Sequence, residues 1–357
     1  MSQPEPVFNY SGQHYAELKK LVQSSGLLVS QPFYYARMIA VTFFMLAVGI
    51  TILFLTDNLW VHLLDAVFLS FVLTQSGFIG HDAGHCQISK TPIKNYLIGL
   101  MNNLLLGASY LWWVDTHNKH HSMPNQVAHD PAIDYSVIAF SREAALEKKG
   151  ILRYVIKYQA FFFVPMMFFY PVTMRIDSFR YLFGTRPKNW FLDALLIVLH
   201  FVLYFWLVFG VLQFWTALLF IVVHQSLFGL YLAFVFAPNH MGMVILDEKE
   251  DLDFLTRQVI TARNVKGGRF VDFIFGGLNF QIEHHLFPRM ARNKLRAAKK
   301  IVEDFCREKS IQYHEATVLQ SYAEIFKDLH RVGSVLRRKQ QEPVVSTLDI
   351  PESSITG

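Results

Sequence analysis

The sequence predicts an all-α integral membrane protein: four transmembrane helices in two hairpins, with interfacial helices and a cytosolic helical cap. Three observations carry this. The 357 residues are 52% hydrophobic and 15% aromatic with a mean hydropathy of +0.27, too apolar for an ordinary soluble domain. All 33 Lys and Arg lie outside two long windows, 38–89 and 189–248. Each window holds two apolar runs of about 20 residues, enough to cross about 30 Å of hydrocarbon. The net charge of +5 therefore reads as membrane topology. A nucleic-acid-binding domain would instead show a basic face on a soluble chain.

Residues 1–37 are polar and mixed, lack an early apolar core behind a basic start, and read as a cytosolic leader. The first two spans are expected at about 38–56 and 60–80. The turn between them, Asp57-Asn58-Leu59, carries no basic residue and belongs outside by the positive-inside rule. His81 then emerges in the cytosol. The run 92–114 is fairly apolar but contains Asn95, Asn102 and Asn103 and ends in Trp112-Trp113. Were it to span, His117 would lie across the membrane from His81, so it reads as a re-entrant or interfacial helix. The run 158–173, broken by Pro165 and Pro171 and flanked by Lys157 and Arg175, reads as an amphipathic segment in the interface. The second hairpin is expected at about 190–210 and 214–237, returning the chain to the cytosol at Pro238-Asn239-His240. Both termini thus lie inside. From Asp247 the chain is soluble in character, and 292–310 reads as a basic, partly amphipathic helix. Residues 38–337 form one membrane domain, and 338–357 read as a disordered tail. Cys86 and Cys306 fall in cytosolic segments, where no disulfide is expected.

The chemistry lies in three clusters. Gln281, His284 and His285 are i, i+3 and i+4, which places three nitrogen- or oxygen-bearing groups on one helical face. His81 and His85 repeat the i, i+4 pair, and His117, His120 and His121 repeat the triplet. Imidazole suits iron, copper, zinc and nickel. The proposed topology brings these clusters and His240 to one membrane face. Eight imidazoles exceed the need of one metal, so two ions are expected. His62 and His200 read as packed histidines on apolar helices. His224 lies about 24 Å up the axis from His240. His129, His314 and His330 read as surface residues. Asp82 and Glu283 read as partners that hold imidazole tautomers, or as weak ligands; Asp130 and Asp134 read as similar partners or as solvated.

The three boxes, His81-x-x-x-His85, His117-x-x-His120-His121 and Gln281-x-x-His284-His285, resemble those of the membrane fatty acid desaturases. The Gln-Ile-Glu-His-His form is similar to the front-end type and to bacterial acyl-CoA desaturases. The likeness spans roughly residues 30 to 335, including Ala237-Pro238-Asn239-His240. It implies a diiron centre held by His81, His85, His117, His120, His121, His240, His284 and His285, with dioxygen as co-substrate. It also implies that two hydrogens leave adjacent methylenes of a long acyl chain, carried by CoA or by a membrane lipid. Some relatives have His at the place of Gln281, and stearoyl-type relatives have Asn where this chain has Phe236. No His-Pro-Gly-Gly haem motif appears, so electrons are expected from a separate ferredoxin or cytochrome b5 with its reductase. Arg289, Arg292, Lys294, Arg296, Lys299 and Lys300 form the basic face expected to receive that donor, or anionic lipid. A lipid, alkane or carotenoid hydroxylase on the same scaffold is the nearest alternative. A non-enzymatic metal carrier fits less well, because the histidines gather at one face.

Overall fold

The computed structural model describes residues 12–337, which are mostly helical. The readings for residues 1–11 and for the tail at 338–357 fall outside the described residues. Helix α1 (Gln13–Ser24) precedes the first long hairpin, α2 (Pro32–Leu55) and α3 (Leu59–Gly84). Pro32 opens α2 where a missing N–H costs nothing. Asn58 opens α3, its side chain accepting from the backbone of Trp60 and Val61 at 2.9 and 3.3 Å. Next come α4 (Pro92–Leu106), α5 (Tyr110–Ser122), α6 (Arg142–Glu147), α7 (Gly150–Lys157), α8 (Gln159–Met167) and α9 (Tyr170–Thr185). The second hairpin is α10 (Trp190–Val211) and α11 (Phe214–His240). The remainder is α12 (Phe254–Ile260), β1 (Asn264–Lys266), α13 (Arg269–Ile274), α14 (Gln281–Leu286), α15 (Arg292–Glu308), β2 (Glu315–Thr317) and α16 (Val318–Ser334).

Four helices, α2, α3, α10 and α11, are long and apolar enough to cross a membrane. Helix α3 is the inner one: 67% of its apolar window is buried, against 17% for α2 and 22% for α10. It packs on α11, α4 and α2. Both α3 and α11 outrun the apolar stretches read from the sequence. Polar residues such as His81, Asp82 and Asn239 continue them, because each finds a buried partner.

Helices α4 and α5 meet at 111° around Gly107, whose φ of 66° is the left-handed region that glycine tolerates. The pair starts and ends at the same end of the bundle, because α5 delivers His117 to within 2.9 Å of His85 at the end of α3. The 92–114 run is therefore a re-entrant hairpin, and the polar residues Asn102 and Asn103 lie buried against its neighbours. The 158–173 run forms α8 and the start of α9. Phe161 and Phe169 stand exposed there, as a lipid-facing segment would have them.

Over this end of the bundle sits a cap. Leu18 and Val22 of α1, Leu255 and Val259 of α12, Ile282 and Leu286 of α14, and Leu295, Val302 and Phe305 of α15 share one buried cluster. The segment read as a leader is thus partly structural: the Tyr15 hydroxyl donates to the Leu286 carbonyl at 2.9 Å. A two-stranded parallel sheet pairs Asn264 with Glu315 and ties α16 to the cap.

Candidate metal centre

Four elements converge beneath the cap. Helix α3 ends with His81 and His85, and α5 carries His117, His120 and His121. Helix α11 closes with His240, and α14 supplies His284 and His285. All eight histidines singled out from the sequence meet, seven of them in two groups with His121 between. In the first, ligand atoms of His81, His85, His117 and His284 lie within 4.8 Å of one another; in the second, those of His120, His240 and His285 do. His121 lies between the groups, its Nε2 3.1 Å from that of His117 and its ring stacked on His285 at 4.1 Å.

The far side of each ring shows what the near side offers. In the second group, His120 Nδ1 donates to Asp130 at 2.8 Å, His240 Nδ1 to the Thr261 carbonyl at 2.9 Å, and His285 Nδ1 to Gln258 Oε1 at 2.7 Å. A neutral imidazole that spends its proton on Nδ1 presents a bare lone pair at Nε2. Yet His240 Nε2 lies 3.2 Å from His120 Nε2 and 3.1 Å from His285 Nε2. Lone pairs facing one another repel unless a cation lies between them. Two nitrogens on one metal, with bonds of about 2.1 Å, sit about 3.0–3.4 Å apart. In the first group, His81 Nδ1 donates to Asp82 at 3.1 Å, and the buried Nε2 atoms of His81 and His284 have no hydrogen-bond partner. Burial, and then the neighbouring imidazoles, hold His85, His117, His121, His284 and His285 well below the usual histidine range. They are neutral at pH 7, the form that binds metals. The donor set fits two cations of the imidazole-preferring kind.

Gln281 is buried at the group with fewer imidazoles. Its Nε2 lies 2.9 Å from His240 Nε2, and its Oε1 accepts from Asn239 Nδ2 at 3.1 Å. Asp82 is doubly engaged, holding His81 and taking the Arg292 Nε at 2.5 Å. Asp130 serves His120 as Asp82 serves His81, while Asp134 is exposed. Glu283 is different. It lies at i+2 from Gln281, on the far side of α14, and accepts from Asn264 Nδ2 at 2.7 Å and from Tyr313 at 2.8 Å. It anchors the helix and touches no imidazole, and burial pushes its carboxyl up to about 7. Arg292 also departs from its reading as a surface cation: it is buried against Asp82 and the Phe78 carbonyl. Lys299 pairs with Glu315, and Arg296 with Asp272. Arg289 is exposed, Lys294 half-buried, and Lys300, also exposed, pairs with Asp304 at 3.3 Å.

Several supporting residues carry no sequence signal. Gln258 and Thr261 stand 27 and 21 residues from the histidines they hold. Asn125 donates to Asp130 from its backbone and to the His240 carbonyl from its side chain. Trp113 stacks on His117 at 4.4 Å and its ring edge abuts Gly84, where a Cβ would come within 2.2 Å of the ring. Beside Gly84 opens a cleft of about 420 Å³ lined by Cys86, Tyr96, Tyr110, Asp115 and Asn118, among others.

The fatty acid desaturase family model matches residues 58–317. The chain is 30% identical over 333 residues to the acyl-lipid (9-3)-desaturase of Physcomitrium patens, covering 89% of this chain and 62% of that one. It is 30% identical to the Delta(8)-fatty-acid desaturase 2 of Arabidopsis thaliana, over 82% of this chain and 68% of the relative. With the Delta(6)-fatty-acid desaturase of Caenorhabditis elegans the identity is 26%, over 92% and 76%. The chain therefore spans less than two thirds of the length of the Physcomitrium relative.

Proposed function

The chain belongs to the fatty acid desaturase family, and on that premise we propose that it is a membrane acyl desaturase whose eight histidines hold two iron ions. One observation carries the reading: His120, His240 and His285 each commit Nδ1 to a partner, and their Nε2 lone pairs still converge, that of His240 lying 3.2 Å from His120 and 3.1 Å from His285. Iron held there would supply, with dioxygen and two electrons, the oxidising power to take two hydrogens from adjacent methylenes, leaving a double bond and water. A methylene offers no proton that a carboxylate pair could remove, so the hard chemistry belongs to the metal.

The protein's own residues orient and exclude. Asp82, Asp130, Gln258 and the Thr261 carbonyl fix the tautomers that aim each Nε2 inward. Trp113 and the cap of α12, α14 and α15 shield the site, with His284 and His285 each 1% exposed and His117, His121 and His240 half-buried. The cleft at Gly84 gives an acyl substrate an approach between α3, α4 and α5. The basic-free windows support a cytosolic side for the site and for both described ends of the chain. A reductant protein docks there, steered by Arg289, Lys294 and Lys300.

The test is expression in a host that lacks polyunsaturated acids, with fed saturated and monounsaturated chains. A new double bond in the fatty-acid profile, absent from a His284→Ala control, is expected. A hydroxylated chain as the product would transfer the assignment to an oxygenase on the same scaffold.

A further inference from the structure

Between α4 and α5 the backbone breaks inside the bundle, which is costly unless every freed group finds a partner. The Ser109 hydroxyl accepts from the Trp112 N–H at 3.0 Å, and the other partners described come from α9 and α10. On the α4 side, the Leu104 carbonyl accepts from His200 Nδ1 at 2.9 Å and the Leu106 carbonyl from Arg175 Nη2 at 2.9 Å. On the α5 side, the Ser109 N–H donates to Ser178 Oγ at 2.9 Å and the Leu111 N–H to Asp193 Oδ2 at 3.3 Å. The Ser109 hydroxyl also donates to Asp193, and Asn103 Nδ2 donates to its other oxygen at 2.6 Å. The imidazole and guanidinium thus face a helix C-terminus and the carboxylate faces a helix N-terminus, each matching the local dipole. Asp193 and Ser178 are wholly buried, and His200 is 6% exposed.

The load on this arrangement is unusual. Helix α5 supplies three imidazoles, and they reach both groups: His117 the first, His120 the second, His121 between. Only six residues, about 9 Å of helix, separate Leu111 from His117. A tilt of α5 at the break moves all three nitrogens together, while metal sites need their ligands held to about 0.5 Å.

We propose that Asp193, with Arg175, His200 and Ser178, is a positioning clamp that fixes the start of α5 and thereby sets the three imidazoles it contributes to the metal centre. This rests on the metal-binding reading above. Asp193→Asn keeps the volume but removes the charge and turns one acceptor into an amide donor, which faces either the Leu111 N–H and Ser109 hydroxyl or Asn103 Nδ2. Asp65→Asn is the control: Asp65 is equally buried in α3, and neither of its oxygens has a partner.

The experiment uses the full chain in detergent micelles and has two readouts. In metal-free protein, hydrogen–deuterium exchange across 110–122 should accelerate in Asp193→Asn, with 59–84 unchanged. Titration with ferrous iron should then show about tenfold weaker binding, the low end of what partners of metal ligands contribute. Asp65→Asn should match wild type in both. If Asp193→Asn fails to fold, Ser178→Ala, which frees only the Ser109 N–H, should shift both readouts in the same direction by less. Wild-type exchange in α5 for either clamp variant, or equal iron loss in Asp193→Asn and Asp65→Asn, would overturn the clamp. Failure of wild-type protein to bind iron would sink the metal reading, while exchange in α5 would still decide whether the clamp holds that helix.

Discussion

The two imidazole groups are built differently. In the second group every ring has its Nδ1 proton committed to a partner: an aspartate, a backbone carbonyl and a glutamine. It has three imidazoles, and Gln281 stands where a fourth ligand would be. The first group has four imidazoles, and of these His81 is held through Asp82, which is in turn braced by Arg292. One group is rich in ligands, the other rich in supports. A site short of one strong ligand needs the remaining ones fixed in basicity and direction, and leaves a position that a neutral amide or a reactant can share.

The largest effect should come from deleting a ring. His285→Ala leaves the second group with two imidazoles. It is expected to lose that metal and at least 100-fold in desaturation, because an incomplete site cannot hold iron in place. His284→Ala should do the same to the first group. Iron retained at the wild-type level in either variant would break the division into groups.

Supports come next. Asp130→Asn should weaken iron binding by roughly 10- to 100-fold. Asp82→Asn should cost comparably and in addition strand the buried Arg292 charge, so its thermal midpoint should fall further than that of Asp130→Asn. Equal midpoints would deny Arg292 its bracing role.

Gln281→Ala sharpens the comparison most. It should keep most of its iron yet lose activity, on the order of 10- to 100-fold. A variant that keeps both iron and wild-type turnover would reduce Gln281 to a packing residue. The smallest effect is expected at the surface. Lys300→Glu should raise the apparent KM for an acidic reductant protein a few-fold at low salt, with the difference vanishing as ionic strength rises. A KM that ignores the reversal would leave Lys300 to lipid headgroups.

Much of this was legible because periodicity and charge are local signals. The spacing of His117, His120 and His121 placed three rings on one face before any contact was known. The absence of basic residues in two windows marked the hairpins. The need for His81 and His117 to meet predicted that the run through Asn102 and Asn103 turns back. What escaped was non-local. Gln258 and Tyr313 act on α14 across long stretches of sequence, and nothing in their neighbours marks them. Arg292 resembles the surface cations beside it until α3 packs on it. Glu283 reads as a partner of the site because its neighbours are the proposed ligands, although its own phase on the helix points it away. Tyr15 shows the same limit: a polar leader conceals a helix that supports the third box.

Metal analysis of the full chain, purified under iron-replete conditions, tests the central claim most directly. Two buried groups of neutral imidazoles predict close to two irons per chain. A reproducible value near one, or zinc as the metal of the active protein, would contradict it.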